Sequence, residues 1–101
     1  LLNGSRVNET NCPKVFDSWE KIYINDVVPQ GFFEYPYASK WIAMNMLVLD
    51  PKTVIVDRHQ TELITLLKSK GVDAIPHTLS HSRTLGGGFH CVTLDTRRKH
   101  V

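Results

Sequence analysis

TVIVDRHQTELITLLKSKGVDAIP, residues 53–76, is the stretch from which the fold of this chain is read. Val54, Ile55 and Val56 form a β-branched run closed by Asp57, the composition of a strand. Across residues 60–70, Leu63, Ile64, Leu66 and Leu67 fall on a helical period with good helix formers between them. Gly71 follows where a helix C-terminus asks for a residue free to turn left-handed. Residues 72–76 are then a second short strand, so the stretch predicts a βαβ unit.

Working outward, residues 46–49 are another β run, joined to 53–56 through Asp50-Pro51-Lys52 as a hairpin with Pro in the turn. Residues 38–45 are expected to form a short helix. Between 28 and 37, Pro29, Gly31 and Pro36 interrupt any regular element, and Phe32, Phe33, Tyr35 and Tyr37 make a loop that is either packed down or lines a pocket. Ile22 and Ile24 alternate with polar neighbours and predict a strand over 21–25. Asn11 can cap a helix that has Pro13 in its first turn and Val15, Phe16 and Trp19 on one apolar face. Residues 1–5 read as a strand end and a turn. Downstream, a polar loop carries His77, Ser80, His81 and Arg83. Val92, Leu94 and Thr96 then alternate with polar residues as in a half-buried strand. The fold class is mixed α/β, and the residues by themselves leave the topology open.

With 101 residues, 42% hydrophobic and 22% charged, the chain has the composition of one small domain or a piece of a larger one. Alone it would bury only about 60–65% of its unfolded surface. It begins at Leu1 and stops at Val101 without a capping element, so a fragment is expected. A net charge of +2 is too small to imply nucleic acid or an anionic membrane as partner, and the run Arg97-Arg98-Lys99-His100 reads as a solvated terminus. No apolar run approaches the roughly 20 residues that span a bilayer. Two widely spaced cysteines, Cys12 and Cys91, fit a reduced, cytoplasmic compartment, where the sequon Asn8-Glu9-Thr10 would be inert. No cysteine or histidine spacing suggests zinc.

The strongest local anomaly is Gly86-Gly87-Gly88. Three consecutive glycines forfeit backbone entropy, which a chain accepts where it must turn sharply or let another group approach. Neither phosphate-loop pattern is present. His90 and Cys91 follow, placing a thiol at a strand edge beside accessible backbone, a setting that suits a nucleophile when cations or backbone donors favour the thiolate. A small buried hydrophobe is the plainer reading of Cys91. On a strand His90 would point to the opposite face and serve it poorly as a base. His59, His77, His81 and His100 read as surface residues, and Asp26, Asp50 and Asp57 as carboxylates satisfying backbone donors. Arg6, after the Asn3-Gly4-Ser5 turn, could bind a carboxylate or be solvated.

The segment Gly86-Gly87-Gly88-Phe89-His90-Cys91, with Thr93, Asp95 and Arg97-Arg98, resembles the carboxyl-terminal active-site motif of the glycine amidinotransferase family. Ser39-Lys40-Trp41 with Met44-Asn45, Leu49-Asp50 and Val56-Asp57 resembles the segment preceding it, without a gap up to Cys91. The likeness is thinner before Gln30, where the Leu-x-Asn turn and Arg6 correspond. It implies the C-terminal portion of a five-bladed α/β propeller, the pentein fold, with residues 1–101 an incomplete part of one catalytic domain. It further implies amidino transfer from L-arginine to an amine acceptor through an amidino-cysteine on Cys91, with Arg6 and Ser39 binding substrate. No cofactor or metal is expected, nor nucleic acid or membrane, and a homodimer is open as the assembly. Ala38 departs from the second serine of the mammalian-type enzymes, and Val92 and Leu94 differ as well. Such departures fit a bacterial branch with another acceptor, such as the relatives in cyanobacterial guanidine-toxin pathways. The family's catalytic histidine and its aspartate partner would lie upstream of Leu1, so these residues alone should be inactive. An arginine deiminase-like hydrolase and a non-catalytic binding protein of the same fold are the competing readings.

Overall fold

Residues 1–28, 39–79, 81 and 85–99 are described by this computed structural model, and among them five strands and one α-helix form. In chain order these are β1 (Leu2–Asn3), β2 (Tyr23–Ile24), β3 (Leu47–Asp50), β4 (Thr53–Asp57), α1 (Thr61–Ser69) and β5 (Asp73–His77), with 3-10 helices at Lys14–Phe16 and Lys40–Met44. β4 is the middle strand of a sheet ordered β3-β4-β5, antiparallel to β3 and parallel to β5. The hairpin and the βαβ unit thus form as the sequence predicts.

The β-branched run of β4 suits the central place, since Val54 and Val56 are buried on one face while Ile55 is half-covered on the other. Leu63 and Leu67 of α1 cover the first face together with Ala74, and Ile24, Val27 and Ala43 complete the buried cluster. The helix stops at a left-handed Gly71 with φ +75°, where Gly71 N–H donates to Lys68 O and Val72 N–H to Leu67 O, both at 3.0 Å. A Cβ there would meet no atom within 4 Å, so the requirement for glycine is purely one of backbone conformation.

β1 and β2 form a separate parallel pair, Leu2 beside Tyr23 and Asn3 beside Ile24. Gln60 fastens the adjoining segment to the helix. Its fully buried side chain accepts from Val28 N–H at 2.9 Å and donates to Val28 O at 2.8 Å, imitating a backbone bridge.

The register sets Leu47, Ile55 and Ile75 abreast on the sheet face away from α1, with Asp57 beside His77 at its end. Phe89, from the glycine-rich segment, is buried and stands 6.2 Å from the His77 ring. That segment therefore packs over the face opposite the helix.

Two expectations are corrected. The helix expected from Asn11 is a single 3-10 turn with Pro13 at its start, and Val15 and Trp19 are 74% and 66% exposed. Asn11 serves the preceding turn instead, accepting from Asn8 N–H and donating to Arg6 O. Residues 92–96 form no strand, and Leu94 is 87% exposed. Alternation encodes a strand only where something covers one face, and nothing described covers Val92 or Leu94. The aromatic residues Phe32, Phe33, Tyr35 and Tyr37, with Ala38, Ser80, Arg83 and His100, lie outside the described residues.

Candidate functional site

The glycines serve two different needs around the thiol. Gly86 takes φ +86°, a left-handed turn. Gly88 is required by proximity, because a Cβ there would lie 2.6 Å from both Cβ and Oδ1 of Asn45. That approach lets Asn45 hold the next two residues, its backbone oxygen accepting from His90 N–H at 3.3 Å and its Oδ1 from Cys91 N–H at 3.1 Å. Val92 N–H then donates to Gly88 O and Thr93 N–H to His90 O, at 3.3 and 3.1 Å.

Cys91 is consequently exposed on a tight turn and not at a strand edge, which removes the opposite-face argument against His90. The amide hydrogens of residues 90–93 are all engaged. The turn thus holds its own geometry and has no N–H of these four left to offer a thiolate.

A second fastening lies seven residues on. Arg98 donates to Val48 O at 2.8 Å and to Leu49 O at 3.2 Å, and forks onto Asp95 at 2.6 and 3.1 Å. The Arg98 hydrogen bond holds the Asp95 carboxyl below its ordinary range and, reciprocally, raises the guanidinium. Arg98 is therefore a clamp on β3, where a solvated terminus was expected.

Asn45 closes the 3-10 helix Lys40–Met44, and Ser39 opens it, its Oγ accepting from Trp41 N–H at 3.2 Å. Ser39 and Asn45 thus stand at the two ends of one short element. The Ser39 hydroxyl is exposed, and its hydrogen is uncommitted among the described residues, free for an acceptor such as a carboxylate. Lys40 pins the same helix, bonding Asp26 at 3.1 Å and standing 5.1 Å from the Trp41 ring.

Arg6 emerges from the turn after β1, where Ser5 N–H and Oγ both bond Asn3 Oδ1 and Arg6 N–H donates to Asn3 O. Its side chain is exposed and, among the described residues, makes no hydrogen bond or ion pair. Nor does any such bond among them join Arg6, Ser39 and Cys91 to one another.

The residues missed by local sequence reading are Asn45 and Arg98, both quoted within the resembling motifs without a role. His59, read as a surface residue, contacts the buried Asp57 carboxylate through Nδ1 at 3.0 Å. Among the described residues no cluster of three His, Cys, Asp or Glu side chains could hold a metal ion, and no helix is long and apolar enough to cross a membrane.

The chain is similar to proteins of known activity. Inosamine-phosphate amidinotransferase 1 of Streptomyces griseus is 52% identical over 99 residues, which are 97% of this chain and 28% of that protein. A solved inosamine-phosphate amidinotransferase from the same organism superposes with a TM-score of 0.90 at 51% identity, over 98% of this chain and 29% of that one. The L-arginine:L-lysine amidinotransferase of Pseudomonas savastanoi pv. phaseolicola is 33% identical, over 98% of this chain and 27% of that protein. The solved amidinotransferase of saxitoxin biosynthesis from Microseira wollei gives a TM-score of 0.83 at 32% identity, over 94% of this chain and 28% of that one. The chain thus spans a little over a quarter of the length of the curated relatives it matches. No family model matches it.

Proposed function

The chain is a homologue of the amidinotransferases along 97% of its residues, and on that premise we propose that the protein carrying it moves an amidino group from L-arginine to an amine acceptor. In this reading residues 1–101 are the C-terminal part of one catalytic domain with the pentein propeller fold. The observation that carries it is an exposed thiol, Cys91, held on a turn by Asn45 and Gly88, in a chain 52% identical to such an enzyme.

The Cys91 thiolate attacks the guanidino carbon of arginine and forms a C–S bond. The bond from that carbon to the arginine Nε breaks, Nε takes a proton, and ornithine leaves. An acceptor amine then attacks the amidino carbon and gives up a proton, and the C–S electrons return to sulfur. A thiolate suits both halves, being a strong nucleophile and a competent leaving group. The proton is carried by a histidine that the resemblance puts upstream of Leu1, so the 101 residues alone are inactive.

Arg6 and Ser39 bind the amino-acid end of arginine. A guanidinium fork and a hydroxyl with a free hydrogen are the donors a carboxylate needs, and both are exposed. The relatives are named for inosamine phosphate, for lysine and for a saxitoxin pathway, so an amine on an aminated ring is the first acceptor to test. The setting is secondary metabolism in a reduced cytoplasm.

The experiment uses the full-length protein and arginine labelled on its guanidino carbon, quenched in acid before acceptor is added. An amidino mass increment on the peptide holding Cys91, discharged by an amine, is the expected result. No increment, with citrulline released or with the thiol inert, overturns the transferase.

A further inference from the structure

Asn45 lies 46 residues before Cys91 in sequence, yet it makes three contacts with the turn that carries the thiol. Its backbone carbonyl takes His90 N–H, its side-chain oxygen takes Cys91 N–H, and its Cβ and Oδ1 fill the space that glycine leaves at 88. We propose that Asn45 is the positioning residue for Cys91, setting where the sulfur stands relative to bound substrate without touching the substrate's amino-acid end. The inference deepens the proposed transfer reaction and rests on it.

The chemistry narrows the choice of side chain at 45. The backbone there has φ −82° and ψ 62°, the geometry of a tight inverse turn, which swings the carbonyl away from the helix and toward His90. The side chain must then be a short acceptor. Glutamine would carry its oxygen one carbon too far, and alanine would leave Cys91 N–H without its partner. Aspartate keeps the acceptor but sets a negative charge 3.1 Å from the amide of the residue that bears the thiol, opposing the thiolate. An amide accepts there without charge. Its Nδ2 has no acceptor among the described residues, as expected of a group whose task is to receive one bond.

The placement also explains the element on which Asn45 stands. Lys40–Met44 is buried through Ala43 and pinned by Lys40 to Asp26, so its end is held by the core and not by the loop it supports. Ser39 stands at the other end of this helix. One short element thereby carries a proposed carboxylate contact at its start and the residue that holds the nucleophile at its end.

The test compares Asn45→Ala and Asn45→Asp with wild type in the full-length protein. It reads single-turnover amidino-cysteine formation, KM for arginine, and the pH profile of Cys91 alkylation by iodoacetamide. Asn45→Ala should slow amidino-cysteine formation on the order of 100-fold with KM within about threefold, because the thiol moves while the substrate contacts stay. Asn45→Asp should fold as wild type and move the alkylation profile to higher pH. A wild-type rate in Asn45→Ala, an equal rise in KM, or an unmoved profile in Asn45→Asp overturns the proposal. Should Asn45→Ala fail to fold, the profile of Asn45→Asp decides alone. Alkylation needs no arginine, so a wild-type protein that forms no amidino-cysteine defeats the transfer reading while the profile still judges Asn45.

Discussion

Gly88→Ala adds one methyl group where the structure has no room for it. The new Cβ would sit 2.6 Å from Asn45 Cβ and Oδ1, against the roughly 3.5–4.0 Å at which carbon atoms rest, so the two segments must part by about 1 Å. Asn45 cannot yield by turning its side chain alone, since Cβ is fixed to a backbone whose carbonyl holds His90. Forcing a methyl into such a contact costs about 1–3 kcal/mol. The strain falls on the bonds from His90 and Cys91 to Asn45, the longer being 3.3 Å and the first to break. A thiol displaced by about 1 Å loses on the order of 100-fold in rate. The assay is kcat for amidino transfer in the full-length protein, beside its thermal midpoint. Alkylation under denaturing conditions confirms that the thiol is intact. A variant with unchanged kcat and unchanged midpoint would refute the reasoning, for it would mean that the turn yields to the methyl without moving the sulfur.

Two further outcomes follow from the packing and the charges. Gln60→Ala removes both bonds to Val28 and empties a fully buried site, and should destabilise by about 2–4 kcal/mol, read as a lower urea midpoint at unchanged slope. Gln60→Glu, which at neutral pH would set a carboxylate against Val28 O in a fully buried site, should destabilise at least as much and recover as the pH falls and the carboxyl takes a proton. Glu20, Asp26, Asp50 and Asp95 are all held below their ordinary values, chiefly by hydrogen bonds from Lys70, Lys40, the Lys52 amide and Arg98 respectively. A depressed carboxylate stabilises the fold above its unfolded pKa and loses that contribution as the pH falls through the folded one. Stability should therefore decline below about pH 4 and not near neutrality, checked by denaturant midpoints across pH 7 to 3. An equal midpoint at pH 3 and pH 7 would count against these pairs.

The central sheet was legible because its signals are local. Val54 and Val56 announce a buried strand, Leu63 and Leu67 the inner face of a helix, and Gly71 its end, and each is where the residues say. Val15 and Trp19 show the limit of the same reading, for an apolar period states that a face wants cover and not that cover is present. Val92 and Leu94 fail likewise. Of the site, the thiol and the glycine-rich approach could be picked out from Gly86 to Cys91, and the resemblance to a family gave the chemistry. The hold of Asn45 on Cys91 could not be read locally, because no pattern within either segment encodes a hydrogen bond across 46 residues. The same applies to Arg98, whose partners Val48 and Leu49 offer only backbone oxygens, identical at every position of a chain.

Both outer strands of the three-stranded sheet carry a feature that disfavours further pairing, though by different means. On β5, Pro76 has no amide hydrogen to give. On β3, the register breaks between Val48 and Asp50, and the oxygens of Val48 and Leu49 are occupied by the Arg98 guanidinium. A stray extended peptide, or the same sheet in another copy, therefore meets a proline on one side and a cation on the other, so the fold resists edge-to-edge aggregation. Arg98, besides steadying the thiol segment, is part of that protection.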